Sequence, residues 1–265
     1  MLLRHGRLRC IAALTAFGLA ACARTPEKRE AAPPAPQPVE SEAKPPVLAE
    51  NSLDREGMIL AALRAVTAAA LGRDDADAQS GLKGRKFEVR MRFGCPSKAN
   101  PARSIAYDDK EQVLRVKVAS DLDDQPLPVS DLLFRNYEGA VGFVLGQPWL
   151  LSAGCPRPEF SGMTGGQPTI VLAQLFTADE SRAQRPGSSY ELTKPMKPEE
   201  VPKEGLDLLV SGRLAELADG RTIHCGAKDG APACLVAGKI DRVAVVRPGT
   251  DEALGEWGQG LGPAR

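Results

Sequence analysis

Histidine is almost missing from this chain: His5 and His224 are the only two among 265 residues. Any mechanism that turns on an imidazole must use His224 once the first residues are set aside, and a zinc site finds too few ligands. No apolar run approaches the roughly 20 residues that a bilayer-spanning helix needs, which argues against a multi-span membrane protein. Charge of one sign is not in excess either. Lys+Arg and Asp+Glu both number 34, so no basic face is indicated and nucleic acid is not an expected partner. No cofactor or metal is implied by any motif.

What is present is an ordinary globular composition, 43% apolar and 26% charged, in a length that allows one good-sized domain with appendages. The first residues stand apart. Arg4, Arg7 and Arg9 are unopposed by any acid up to residue 21; without these three the chain has 31 basic side chains against 34 acidic ones. A short apolar core of about 12 residues follows, from residue 10 to residue 21, and it is too short to span a bilayer. A positive start and a short apolar core are the layout of an export signal.

The core ends on Leu19-Ala20-Ala21-Cys22. This stretch resembles the lipobox of bacterial lipoproteins, in which a leucine, two small residues and a cysteine are recognised together. The resemblance implies that Cys22 takes a lipid on its sulfur and becomes the first residue of the mature protein. It also implies an envelope address. The aspartate that favours inner-membrane retention in that family is replaced by Ala23, which points to the inner leaflet of the outer membrane, facing the periplasm. The other reading of the same residues is an ordinary signal peptide cleaved after Ala21-Cys22-Ala23. The resemblance covers residues 1–23 only, and the remaining chain is not similar to a recognised family.

Residues 22–50 follow as a segment with seven prolines and almost no large apolar side chains. Such a segment buries too little surface to offset ordering entropy, so a disordered tether is expected, reaching up to about 85 Å when extended. A globular domain is expected over residues 51–257, with a flexible tail at 258–265. Within it, residues 52–71 predict a helix, with Ser52 as cap, Gly72 as terminator, and Ile59, Leu63, Val66 and Ala70 on the packed stripe. The rest predicts strands. In "KFEVRMRFGC" the residues Phe87, Val89, Met91, Phe93 and Cys95 alternate with polar ones, and "QVLRVKVAS" repeats the pattern at Leu114, Val116 and Val118. A short strand and a turn are expected within 104–112, and further strands near 141–145, 169–177, 206–214, 221–225 and 234–246. Residues 185–205 read as a long loop around one short strand. The fold class is therefore α+β, mainly antiparallel β, as a sandwich or partly closed barrel with one N-terminal helix packed on it.

Four cysteines remain after Cys10 and Cys22: Cys95, Cys155, Cys225 and Cys234. In an oxidising compartment an even number predicts disulfides. Asp229-Gly230 is a hairpin turn signal, and placing it at the tip sets Lys228 opposite Ala231, Ala227 opposite Pro232 and Cys225 opposite Cys234. The proline then falls where no ladder N–H is needed, and the two cysteines fall in a close pair, about 4.5 Å between Cα atoms. Cys95 and Cys155, each in a Gly-Cys-Pro context, are left to pair with each other.

Catalytic arrangements are thin. Ser152-Ala153-Gly154-Cys155 is superficially similar to the nucleophile stretch of L,D-transpeptidases, but it departs from that family at Ala153 and Pro156 and has no nearby histidine. Ser80 and Lys83 have the Ser-x-x-Lys spacing of penicillin-binding proteins without the companion motifs. His224 falls on the strand face opposite Ile223 and Cys225, with no Gly-x-Ser-x-Gly to supply a serine. Trp149 is expected near the Cys155 disulfide. Arg182, Arg185 and Tyr190 form a possible contact for an anionic polymer or an envelope protein. The expected function is thus a lipid-anchored envelope protein with a binding or structural role. The alternative is an envelope hydrolase or transferase using carboxylates such as Asp207, Asp219 and Asp251.

Overall fold

The structure, a computed structural model, describes residues 52–258 apart from 97–99, 101, 123–136, 161, 163–164, 180–188 and 229. Cys22, the rest of residues 22–50 and residues 259–265 lie outside the described residues, as do Arg182 and Arg185.

The chain enters through Leu53, which is extended beside β1 (Lys86–Phe93) and makes a parallel bridge with Phe87. Its N–H donates to the Lys86 carbonyl at 2.8 Å, and its carbonyl accepts from the Glu88 N–H at 2.8 Å. Because Leu53 is held in that bridge, helix α1 starts at Arg55 and runs to Ala70, with Asp54 rather than Ser52 as the N-cap; Asp54 Oδ1 accepts from the Gly57 N–H at 2.8 Å. The helix ends in a Schellman motif: Gly72 N–H donates to Ala69 and Arg73 N–H to Ala68, with Gly72 at φ 63°.

The buried stripe of α1 is Arg55, Met58, Ile59, Ala62 and Ala65, rotated from the expected Ile59, Leu63, Val66, Ala70. Leu63 is 38% exposed and Ala70 is exposed. The reason is what lies beneath. The Cys225 and Cys234 sulfurs pack 3.8 and 3.7 Å from the Ala62 carbonyl oxygen, and only small side chains allow so close an approach. Propensity and periodicity alone do not see that neighbour.

A four-residue helix α2 (Ala76–Gln79) follows, which the sequence reading did not anticipate. Its buried Gln79 substitutes for a strand: Oε1 accepts from the Thr222 and Ile223 N–H groups at 3.1 and 2.7 Å, and Nε2 donates to the Ile223 carbonyl at 2.9 Å. Backbone groups that would otherwise be unpaired are thereby satisfied.

The strands are β1, β2 (Arg103–Asp108), β3 (Val113–Ala119), β4 (Gly139–Leu145), β5 (Thr169–Phe176), β6 (Ser189–Pro195), β7 (Leu206–Leu214), β8 (Ile223–Lys228), β9 (Ala231–Val246) and β10 (Ala253–Gly258). Seven form one sheet with path β1-β7-β9-β5-β4, β8 and β10 both pairing with β9; β2-β3-β6 form the other. All pairings are antiparallel except β5 with β9. The fold is therefore α+β and mainly antiparallel, with a helix packed on the sheet, as expected. Among the described residues neither sheet is closed.

Strand β9 organises the molecule. Its first half lies between β8 and β5, its second between β7 and β10. Apolar side chains cover both of its faces: Cys234, Val236, Ile240, Val243 and Val245 join the main core, while Leu235, Ala237, Ala244 and Val246 join smaller clusters behind it. A strand buried on both sides reads as a continuous apolar run rather than an alternation, which is why "ACLVAGKI" lacks the period of two seen in β1. Leu114, Val116 and Val118 of the smaller sheet belong to the same main core. No helix among the described residues is long and apolar enough to cross a membrane.

Candidate functional site

The outward positions of β1 are Glu88, Arg90 and Arg92, and the last of these faces Asp207 on β7. Asp207 interrupts an otherwise apolar strand, "LDLLV", and is 2% exposed. A carboxylate so buried needs a cation. Arg92 supplies it, with Nε donating to Oδ1 at 2.5 Å and Nη2 to Oδ2 at 3.4 Å. On the second sheet, Arg103 of β2 pairs with Asp121, and its Nη2 also donates to the Val144 carbonyl at 3.1 Å. Asp121 in turn accepts from the Val144 N–H at 2.8 Å and from Asn100 Nδ2 at 3.3 Å. This pair ties the smaller sheet to β4.

Arg55 is the third buried cation. It projects from the first turn of α1 and donates to four backbone carbonyls: Leu150 at 2.9 Å, Arg90 at 3.3 Å, Gly146 at 2.7 Å and Gln147 at 3.0 Å. Burial pulls its pKa down to about 10; the nearby Asp207 opposes that fall and Arg103 adds to it. The group still carries its full charge at neutral pH.

Arg92 and Arg103, but not Arg55, line a cavity of about 110 Å³ together with Asn100, Gln147, Gly94, Cys95 and the turn after β4. The Cys95–Cys155 disulfide, 5.6 Å between Cα atoms, joins the end of β1 to the segment beyond that turn. Gln147 holds φ 54°, a left-handed conformation rarely adopted outside glycine and asparagine. A second, wider cavity of about 450 Å³ is bordered by Arg55 and Arg90 but also by Asp54, Glu56 and Glu88, so it has no positive surplus. Among the described residues no group of His, Cys, Asp and Glu is arranged to hold a metal ion.

The other residues singled out from sequence are dispersed. His224 Nδ1 lies 2.8 Å from Asp219 Oδ2, and Asp219 also lies near Arg221, which pairs with Asp74 at 2.9 Å. Asp251 pairs with Arg90. Asp207, Asp219 and Asp251 thus end on different basic residues and do not converge as an acid–base set. Cys155 is held in its disulfide, Ser80 Oγ donates to the Asp77 carbonyl at 2.7 Å, and Lys83 pairs with Glu216 at 2.5 Å. Trp149 is half-buried in the turn after β4.

Tyr190 is a correction. It is 8% exposed, and its ring centroid lies 5.3 Å from that of Trp257. Strand β10, which the sequence reading missed, brings Trp257 to it. The tyrosine is a core residue and not a surface contact for a polymer. What sequence reasoning overlooked is the trio Arg55, Arg92 and Arg103. A lone aspartate within an apolar strand was the one legible signal, since it demands a buried cation somewhere in the fold.

The class defined by these observations is a disulfide-linked α+β protein with an arginine-lined cavity between its two sheets. Comparison with models of known families, with curated proteins and with solved structures returns no match.

Proposed function

We propose that this is a lipid-anchored protein of the cell envelope, held at the inner leaflet of the outer membrane through Cys22, whose domain has a binding or structural role in the periplasm. The observation that carries the reading is the sequence Leu19-Ala20-Ala21-Cys22 at the end of a short apolar core, followed at once by a proline-rich segment. A lipidated cysteine needs a spacer between bilayer and domain, and a segment of this composition serves as one. The two disulfides support the same address, because such bonds persist in oxidising compartments. A binding role, rather than catalysis, is supported by the site: fixed cations around a cavity, and no nucleophile placed beside a base among the described residues.

Metabolic labelling with a palmitate analogue tests the anchor. The wild-type protein is expected to take up label and to sediment with outer membranes, and Cys22→Ser is expected to lose both properties. Wild-type protein that is exported but unlabelled would show an ordinary signal peptide instead.

A further inference from the structure

Helix α1 is apolar on both of its sides. One side is the buried stripe that packs on β1, β8 and β9. On the other, Leu60 is 41% exposed, Leu63 38% and Leu71, the cap residue, 60%. These are three of the five large apolar side chains exposed among the described residues. At 3.6 residues per turn, Leu60, Leu63, Arg64, Thr67 and Leu71 share an arc of about 100° on the side away from Ala62, and all five are exposed. A surface helix ordinarily turns charged and polar residues to water there. Single exposed leucines need no explanation, but three at helical spacing form a contact face.

Size and position decide what that face meets. Three partly exposed leucines fall far short of the roughly 800 Å² per partner of a stable protein–protein interface, so neither a freely diffusing protein nor a second copy would be held by them. A surface to which the chain is already tethered needs much less contact, because the encounter is intramolecular. Only the 30 residues 22–51 separate Cys22 from Ser52, and α1 starts at Arg55. Those intervening residues carry almost no large apolar side chains with which to cover the face themselves. Charge agrees with a phospholipid surface. Arg64 lies within the stripe and the exposed Arg73 follows the cap, whereas the only acid of the helix, Glu56, is in its first turn. Asp74 and Asp75 are engaged by Arg221 at 2.9 and 3.4 Å. An arginine among leucines can lay its stem on apolar tails and keep its head at the lipid phosphates.

We infer that the exposed face of α1 docks on the phospholipid surface that carries the anchor. The helix lies in the plane of the headgroups, with Leu60, Leu63 and Leu71 at the acyl boundary and Arg64 and Arg73 at the level of the phosphates. It goes no deeper, because its opposite side stays on the sheet. The inference rests on the proposed lipid at Cys22 and adds to it a fixed orientation of the domain on the bilayer.

The test uses the protein isolated from cells and reconstituted into vesicles of phosphatidylethanolamine and phosphatidylglycerol. An environment-sensitive fluorophore is placed on Thr67→Cys, in the middle of the stripe, or on Lys110→Cys in the β2–β3 turn; both positions are exposed. Nitroxide-bearing lipids are expected to quench the label at 67 and not the one at 110. Leu60→Ser combined with Leu63→Ser is expected to lower the ratio of docked to free domain about tenfold. Protein that takes up the palmitate analogue but shows no quenching at 67, or equal quenching at both positions, overturns the docking and leaves the anchor standing. Protein that takes up no palmitate analogue removes the anchor and the docking with it. A fluorescence change at 67 that follows protein density in the vesicles, without nitroxide quenching, shows α1 meeting a second copy and also overturns the inference. The comparison of positions 67 and 110 decides the matter even if the leucine variant does not fold.

Discussion

Arg92 of β1 stands directly opposite Asp207 of β7, and the two form a two-pronged ion pair with 10% and 3% of their side-chain surfaces exposed. Removing one partner leaves an unpaired charge in the interior, which costs about 3–5 kcal/mol. Asp207→Ala is therefore expected to lower stability by that amount, and more readily because Arg55 then loses the nearby negative charge that steadies it. Arg92→Met combined with Asp207→Leu is expected to recover most of the loss. Urea denaturation of the three proteins checks both statements.

The two disulfides close loops of different size. Cys95 and Cys155 are separated by 60 residues and Cys225 and Cys234 by 9. Chain-entropy arguments assign roughly 4 kcal/mol to the first and roughly 2.5 kcal/mol to the second. The double replacement Cys95→Ala with Cys155→Ala is expected to lower the denaturation midpoint accordingly. Peptide mapping without reduction checks the pairing itself, and a fragment linking Cys95 to Cys225 would contradict it.

Burial pushes the Tyr190 hydroxyl up to about 12. The folded state therefore holds its proton more tightly than the unfolded chain, whose tyrosines titrate near about 10. Tyr190 contributes its full stabilisation below the lower value, and that contribution is lost as pH rises through the upper one, at a limiting slope of about 1.4 kcal/mol per pH unit. Stability measured across this window is expected to fall in the wild type and to fall less steeply in Tyr190→Phe.

Gly212 sits where the pairing of β7 with β9 shifts register, so that Ser211 faces Arg242 but Gly212 faces Ile240. A Cβ on Gly212 would lie 2.0 Å from the Lys239 carbonyl oxygen, closer than any real contact. Gly212→Ala is expected to destabilise the protein by at least about 2 kcal/mol, since neither backbone can yield without breaking the ladder. Gly81→Ala, with open space around it, serves as the control and is expected to change stability by less than about 0.5 kcal/mol. Thermal unfolding of the two variants compares them.

Local pattern and turn chemistry were enough for most elements. β1 and β3 alternate because one face of each is buried, and alternation is visible in any such strand. The β8–β9 hairpin was legible to the residue: Lys228 faces Ala231, Ala227 faces Pro232 and Cys225 faces Cys234, since turn length sets register in a hairpin. Strand β10 and the short helix α2 were missed because neither has a periodic signal of its own. β10 exists by pairing with β9, and α2 by the bonds Gln79 makes to β8.

From sequence alone the chain already shows its β-rich class and its hairpin disulfide, because each depends on neighbours in sequence. The parallel contact of β5 with β9, the rotation of α1 over the Cys225–Cys234 bond, and the gathering of Arg55, Arg92 and Arg103 in one region belong to the tertiary structure alone. Those three arginines come from a helix and from strands of two different sheets. No spacing along the chain encodes their meeting, since it is packing between distant segments that removes the water and leaves their charge to be answered.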